Sequence, residues 1–221
     1  MPTQKEPTCI TPATNPLKFM TVTTNLSLTE DLKKKDTFPM VLKLNALETI
    51  ALRYPEKDWL RVYTDESQVD ETNTAGAGLH CRLFLQYVNV GVNKSNFDKD
   101  IEAISLALQQ LMYRLQAFEK VVILVDSKAA IQTVSSNSQP KSKKINNIKQ
   151  ALKYLQAFKK IVTCQCVPSC VRLEGNKVAE KLANKGSTLH SKEIPSQADS
   201  LKKLLNQKIT MKYNKKPMSW S

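Results

Sequence analysis

LRVYTDES (residues 60–67) and KVVILVDS (residues 120–127) decide the fold of this 221-residue chain. Each stretch is apolar and β-branched up to an aspartate, Asp65 or Asp126, and turn residues follow at once. Such runs are typical of buried strands, and the strands of α/β sheets carry functional groups at their carboxyl ends. If the two strands lie parallel and adjacent, their carboxylates meet, and paired carboxylates bind divalent metal ions readily.

The residues around these strands predict a mixed α/β domain. Residues 76–90 alternate as an antiparallel hairpin does, and the next segment is a clear helix because its apolar residues are three and four apart. Those apolar residues are Ile101, Ile104, Leu108, Leu111, Leu115 and Phe118. Continued along the chain, the pattern predicts the order β-β-β-α-β-α-α-β-α, an antiparallel meander followed by right-handed crossover units. We therefore expect a five-stranded mixed sheet flanked by helices.

Three parts are predicted along the chain. Residues 1–57 form an N-terminal arm, mostly irregular over residues 1–38, and a connecting helix. Residues 58–187 form the folded domain. Residues 188–221 form a basic tail.

The composition points to a polyanionic partner. The chain carries 33 Lys and Arg residues against 20 Asp and Glu residues, a formal net charge of +13. This excess favours nucleic acid, although an ordinary solvated basic surface has the same composition. The five cysteines lack the spacing of a secreted disulfide framework, and no apolar run resembles a signal peptide or a membrane span. We expect a cytoplasmic or nuclear protein.

Two further acids could join Asp65 and Asp126. Asp100 lies in the first turn of the long predicted helix, directly before its apolar stripe, and Glu180 lies in the helix predicted near residues 175–185, after the last strand. A cluster of four carboxylates suits two Mg²⁺ ions, because Mg²⁺ prefers oxygen ligands and keeps part of its hydration shell. The alternative is that each acid is a helix cap or a solvated surface charge.

Four segments resemble the type 1 ribonuclease H domain, in particular the version carried by arthropod non-LTR retrotransposon polyproteins. They are YTDES (63–67), DIEAISLAL (100–108), VDSKAAI (125–131) and VPSCVRLEGNKVAEKLANKG (167–186). The likeness extends over residues 58–187, and the preceding LETIALRYPEKDWL (47–60) resembles the segment that joins reverse transcriptase to ribonuclease H in those elements. The resemblance implies a ribonuclease H-like fold in a polyprotein fragment or a stand-alone remnant. It also implies hydrolysis of the RNA strand of RNA–DNA hybrids with two Mg²⁺ ions, which Mn²⁺ could replace.

Transferred to this chain, the resemblance implies that Asp65, Asp100, Asp126 and Glu180 are the catalytic metal ligands. Asp100 stands where the family usually has Glu, and Glu180 stands where it usually has Asp. Each exchange moves the carboxylate oxygens by up to ~1.5 Å, one carbon–carbon bond. Cys170 replaces a usual His, and a thiol with a pKa of about 8.5 is a poor substitute for an imidazole in proton transfer. We therefore expect Mg²⁺ binding to survive better than full activity.

Two other acids flank the predicted cluster. Glu66 replaces the usual Gly of the first motif, which adds a negative charge beside the metal ligands. Glu102 lies two residues after Asp100, so on a helix its side chain should point roughly 200° away. Neither is counted among the ligands.

A separate set of residues is predicted to bind nucleic acid. It comprises Lys141, Lys143, Lys144 and Lys149, on a polar loop and the helix after it, together with Asn73. In related enzymes this region meets the DNA strand of a hybrid, and lysines there could follow a phosphate backbone. An ordinary solvated helix face has the same pattern.

Other interpretations fit the same sequence. The chain could be a catalytically silent relic that binds nucleic acid through its lysines. It could share the fold but act as an integrase or a proofreading exonuclease, although GNKVAEKLA (175–183) resembles ribonuclease H. Cys164, Cys166 and Cys170 could suggest zinc. The first two share one face of a predicted strand and no fourth ligand follows, so packing cysteines are favoured.

Overall fold

The computed structural model describes residues 22–32, 36–140, 142–171 and 173–189. The described residues form six strands, β1 (Thr23–Asn25), β2 (Trp59–Val69), β3 (Thr74–Cys81), β4 (Phe84–Val92), β5 (Lys120–Val125) and β6 (Ile161–Cys166). They also form five α-helices, α1 (Pro39–Arg53), α2 (Asn96–Met112), α3 (Lys128–Ser135), α4 (Lys143–Ala157) and α5 (Glu174–Thr188). Short 3-10 turns cover Leu115–Ala117 and Ser169–Val171.

The strands form one mixed sheet in the order β1-β6-β5-β2-β3-β4. The strands β1, β6, β5 and β2 run parallel to one another, and β2, β3 and β4 form an antiparallel meander. This arrangement confirms the predicted mixed α/β fold. Among the described helices, none combines the length and the apolar character that a bilayer span requires.

The prediction of five strands is wrong, because β1 adds a sixth strand at the edge of the sheet. This strand lies within residues 1–38, which were predicted to be mostly irregular, and Asn25 pairs with Gln165 of β6. The Gln165 side chain donates from Nε2 to the carbonyl oxygens of Asn25 at 3.2 Å and Ser27 at 3.1 Å. A strand of three residues has no periodicity to detect, and this one is held by a side chain 140 positions away.

The helix predicted from the apolar stripe has different ends in the structure. α2 ends before Leu115 and Phe118, which still pack on the core from a 3-10 turn and from the segment before β5. Its start is set by a capping box, in which the Ser95 hydroxyl accepts the N–H of Asp98 and the Asp98 carboxylate accepts the N–H of Ser95. Asp100 therefore lies in the second helical turn, not the first.

Different helices cover the two faces of the sheet. The helices α2, α3 and α4 pack on one face, over the larger core cluster, whereas α1 and α5 pack on the other. Side chains alternate along each strand, so Val62 of β2 and Ile123 of β5 face α2, and Tyr63 and Leu124 face the opposite side. This alternation decides which acid can meet which helix.

α5 lies against β3 with backbone directly on backbone. A Cβ atom added to Gly78 would lie 2.1 Å from the carbonyl oxygen of Ala179 and 2.4 Å from the amide nitrogen of Ala183. A Cβ atom added to Gly76 would lie 2.1 Å from the carbonyl oxygen of Ala183. Backbone atoms cannot rotate aside as a flexible side chain does, so these two glycines set the distance between the sheet and the helix that carries Glu180.

We expect Gly78→Ala to force α5 away from the sheet and to lower the free energy of unfolding by about 1–3 kcal/mol, the usual cost of overpacking a core. Urea unfolding followed by circular dichroism measures this change. An unfolding free energy equal to that of the parent chain would show that α5 has room for the added methyl group.

Candidate active site

Asp65 and Asp126 lie side by side where β2 and β5 meet. Tyr63 pairs with Leu124 in parallel register, and continuing that register by two residues sets Asp65 opposite Asp126. The Thr64 hydroxyl donates to the carbonyl oxygen of Leu124 at 3.0 Å and ties the two strands together at this point. The two predicted acids are therefore neighbours in the fold, but the prediction that the first strand ends at Asp65 is wrong, because β2 continues to Val69 through its pairing with β3.

Asp65 is a partly buried carboxyl among other acids. Burial raises its pKa to about 7; the N–H of Glu66, which donates to Oδ1 at 2.8 Å, opposes the shift. The negative charges of Asp126, Glu180 and Glu66 then add to the rise. Glu180 is exposed on α5, the helix that packs on β2 and β3. Acids from β2, from the end of β5 and from α5 thus act on one another.

Asp100 approaches the same end of the sheet from α2. Its carboxylate accepts a hydrogen bond from the hydroxyl of Ser127, the N-cap of α3, which directly follows Asp126. Burial raises the pKa of Asp100 to about 7, and the Glu66 carboxylate adds most to that rise, followed by Asp126, while the Ser127 hydrogen bond opposes it. The negative charge of Asp126 therefore also acts on Asp100, the fourth predicted ligand.

These acids divide between the two faces of the sheet. Because side chains alternate along β2, Asp65 faces the α5 side and Glu66 faces the α2 side. Glu180 therefore accompanies Asp65, and Asp100 accompanies Glu66. Asp126, at the end of β5, acts on the pKa of both Asp65 and Asp100, after the larger effect of burial.

Glu66 has a cationic partner that the sequence analysis did not find. The Nζ atom of Lys99 in α2 lies 3.6 Å from Oε2 of Glu66 and donates to Oε1 of Gln68 at 3.5 Å. The Lys99 side chain is only 6% exposed. The burial of Lys99 could have been predicted from helical spacing. Lys99 precedes the buried Ala103 and Leu106 by four and seven residues, so all three lie on one side of the helix.

The donor chemistry of this group suits a hard divalent cation. Its acids supply carboxylate oxygens, and burial together with neighbouring acids raises the pKa values of Asp65 and Asp100 to about 7. The buried Oε2 atom of Glu66 accepts no hydrogen bond from the described residues. A divalent cation would compensate this concentrated charge. However, no three His, Cys, Asp or Glu side chains in the described parts of the chain are grouped so that they could hold a metal ion. The carboxylates would have to converge on binding.

The raised pKa values predict how stability depends on pH. Without divalent cations, the folded chain keeps Asp65 and Asp100 protonated up to about pH 7, whereas the unfolded chain releases these protons near 3.8. The folded state binds more protons over that range, so the stability contribution of these two groups is full below pH 4 and is lost as the pH rises to about 7.

The variant Asp65→Asn/Asp100→Asn should lack that loss and melt at a higher temperature than the parent above pH 7. Scanning fluorimetry in EDTA measures the melting temperatures across the pH range. Because both chains keep every other titrating group, their difference isolates the two aspartates. A variant with the same pH profile as the parent would contradict the raised pKa values.

Two of the predicted nucleic-acid-binding lysines make internal contacts. Lys144 forms an ion pair with Glu102 of α2. Lys149 donates to the carbonyl oxygens of Ser136 and Ser138, each at 2.7 Å. These contacts join α4 to α2 and to the loop after α3, so both lysines have a structural role in the described fold.

The other predicted contacts differ in position. Lys143 is exposed at the start of α4, and Asn73 is exposed in the turn between β2 and β3. Lys141 lies outside the described residues, as does the side chain of Cys170. Lys143 and Asn73 are therefore the predicted contacts that the structure presents to solvent.

Cys164 and Cys166 are core residues of β6. Both are buried in the larger core cluster. Burial raises the pKa of Cys164 to about 12 and that of Cys166 to about 11. Thiols held this firmly in the neutral form pack as small apolar groups, which favours packing over zinc binding.

Two comparisons with known proteins found similarities. A family model described as RNase H matches residues 57–188. Among solved structures, the chain is similar to RNase H1 from the halophilic archaeon Halobacterium salinarum NRC-1, with 15% sequence identity and a TM-score of 0.44 over 58% of this chain and 96% of that chain. No curated protein matches the chain.

Proposed function

Because the chain belongs to the ribonuclease H family, we propose that it is a Mg²⁺-dependent endonuclease that hydrolyses the RNA strand of RNA–DNA hybrids. The observation that carries the proposal is the juxtaposition of Asp65, inside β2, with Asp126, which directly follows the adjacent parallel strand β5, within the matched region. The net charge of +13 favours a polyanionic substrate.

The metal site would take ligands from both faces of the sheet. Asp65, Asp126 and Glu180 would hold it from one side and Asp100 from the other. Bound Mg²⁺, or Mn²⁺ in its place, supplies Lewis-acid polarisation of the phosphodiester and activation of the attacking water, and two ions would share these tasks. A backbone N–H orients Asp65, and the Ser127 hydroxyl orients Asp100. Both hydrogen bonds favour the ionised carboxylate, the form that binds a cation.

Substrate binding would use the basic surface beside α4. We assign phosphate contacts to Lys143 there, to Asn73 in the turn between β2 and β3, and to Lys141, which lies outside the described residues. Lys144 and Lys149 would hold α4 in place behind them through their internal contacts, and would reach a phosphate only by giving those contacts up. Phosphate contacts of this kind weaken steeply as the salt concentration rises.

A catalytically silent relic that binds nucleic acid is the second candidate. It is favoured by the absence, among the described residues, of three acids grouped to hold an ion. It is also favoured by the one-methylene changes at Asp100 and Glu180, since a misplacement of about 1 Å can lower a rate on the order of 10²-fold. Weakened hydrolysis lies between the two candidates.

We also propose an origin in an arthropod-type non-LTR retrotransposon polyprotein. The support is the set of motifs within residues 58–187 and the connecting segment at residues 47–60. In this scheme residues 58–187 are the type 1 ribonuclease H domain, residues 1–57 the connecting arm and helix, and residues 188–221 a basic tail that adds charge for nucleic acid in the cytoplasm or nucleus.

A cleavage assay on a labelled RNA–DNA hybrid tests the proposed function. The full chain should shorten the RNA strand with Mg²⁺ or Mn²⁺ but not with EDTA, and it should leave duplex DNA intact. Salt-sensitive hybrid binding without product at any concentration of either ion would establish the relic instead. A chain that neither binds nor cuts the hybrid would refute both candidates.

A further inference from the structure

A buried lysine lies beside the acidic cluster, which comprises Asp65, Glu66, Asp100, Asp126 and Glu180, and this lysine has no part in the proposed chemistry. Lys99 belongs to α2 and directly precedes Asp100. Its side chain is 6% exposed, and its Nζ atom lies 3.6 Å from Oε2 of Glu66 and 3.5 Å from Oε1 of Gln68. Lys99 therefore presents a positive charge to the α2 side of the cluster.

The position is unfavourable for a lysine on two counts. Burying an ammonium group is costly unless an opposite charge is near. Lys99 is also the fourth residue of α2, close to the positive end of the helix dipole, where cations are disfavoured. The carboxylate of Glu66 is the neighbouring charge that offsets both costs, so Lys99 and Glu66 stabilise each other in the fold.

Glu66 is held by Lys99 through charge and not through a tight hydrogen bond. The separation of 3.6 Å is longer than a hydrogen bond, and the buried Oε2 atom accepts none from the described residues. The backbone N–H of Glu66 meanwhile donates to Oδ1 of Asp65 at 2.8 Å. Glu66 thus joins Lys99 to the first predicted ligand and keeps a carboxylate oxygen available to a stronger cation.

We propose that Lys99 is an internal counter-ion that competes with the divalent cation for the acidic cluster, and that Glu66 exchanges Lys99 for this cation when it binds. The inference rests on the proposed function, because the competing cation is the Mg²⁺ of that function. In the metal-free chain the ammonium group limits repulsion between Glu66 and the neighbouring acids. The same charge lowers the affinity for Mg²⁺, so the chain requires a higher concentration of the ion than the acids alone would.

Calorimetric titration of the full chain with Mg²⁺, without nucleic acid, tests the inference. Lys99→Met keeps the length of the side chain and removes its charge, and it should tighten Mg²⁺ binding on the order of tenfold, as expected for one screened charge at this range. Lys94→Met is the matched control. Lys94 is also buried near the start of α2, but it lies in the field of Asp98 and Glu102, so its removal should leave the Mg²⁺ affinity close to that of the parent.

Lys99→Met leaves Glu66 without its cationic partner and could unfold the chain, so a second pair of variants is compared in which Glu66 is neutral. Glu66→Gln should weaken Mg²⁺ binding. Adding Lys99→Met to it removes both partners of the ion pair and should again tighten binding about tenfold. If the parent binds Mg²⁺ and the loss of Lys99 does not tighten binding in the variants that fold, the inference falls and the proposed function stands. If no variant binds Mg²⁺, both fall.

Discussion

Asp65→Asn should lower hybrid cleavage by at least about 100-fold, beyond the 10–100-fold loss typical of groups that only support a metal ligand. Asn keeps the shape of Asp but supplies no negative charge. The hydrogen bond from the Glu66 N–H to Oδ1 can persist with the Asn oxygen, so the loss would come from charge and not from a changed backbone. Gel analysis of a labelled hybrid under single-turnover conditions measures the rate.

The same variant should be more stable than the parent at neutral pH without divalent cations. Burial raises the pKa of Asp65 to about 7, and the acids around it add to this rise, so ionising the group in the folded chain is unfavourable. A neutral Asn at this position has no charge to bury, so the unfavourable ionisation is absent. Opposite changes in activity and stability would distinguish a catalytic ligand from a residue whose loss only damages the fold.

Asp58→Asn is the matched control for this experiment. Asp58 is exposed and directly precedes β2, at the end of the sheet opposite the acidic cluster. The Asp58→Asn substitution should leave both the cleavage rate and the melting temperature unchanged. Undiminished cleavage by Asp65→Asn would remove Asp65 from the active site, and with it the main support for the proposed function.

The combined change Asp100→Glu, Glu180→Asp and Cys170→His should raise hybrid cleavage on the order of 10²-fold. The first two changes restore the side-chain lengths usual in the family and correct displacements of up to ~1.5 Å. The third supplies an imidazole that can carry protons near neutral pH. If the parent is silent and this variant cuts, the departures at these positions are the cause of the silence.

Glu56→Asp with Asp58→Glu is the control for carboxylate length. Both residues are exposed near the start of β2, away from the cluster. These exchanges should leave cleavage as it is in the parent. A repaired chain no more active than the parent would show that the limitation lies elsewhere, and the Glu66–Lys99 pair is then the next feature to change.

Much of the fold could be predicted because its signals are local. The runs that end at Asp65 and Asp126 and the spacing of the apolar residues in α2 need only a few neighbouring residues to be recognised. The ends of α2 were less certain, because Leu115 and Phe118 continue the helical spacing although the chain has already left the helix. Both residues pack on the core either way, so the spacing could not distinguish the two cases.

The acidic cluster was only partly predictable. Alternation along β2 separates Asp65 from Glu66, and this follows from strand geometry alone. The contact between Glu66 and Lys99 depends on how α2 lies across the sheet. In the same way, the hydrogen bond from Lys149 to a carbonyl group of a loop depends on how that loop lies beside α4. A lysine in a sequence has the same appearance whether it faces water, a carboxylate or a backbone oxygen.

The sequence by itself determined the types of element, their order along the chain and the set of acids available to bind a cation, because periodicity and chain order are carried by neighbouring residues. Only the tertiary structure decided the register that sets Asp65 opposite Asp126, the sixth strand and the burial of Lys99 among carboxylates. These features arise from contacts between residues far apart in the chain, whose energies depend on the faces that helices and strands turn toward each other.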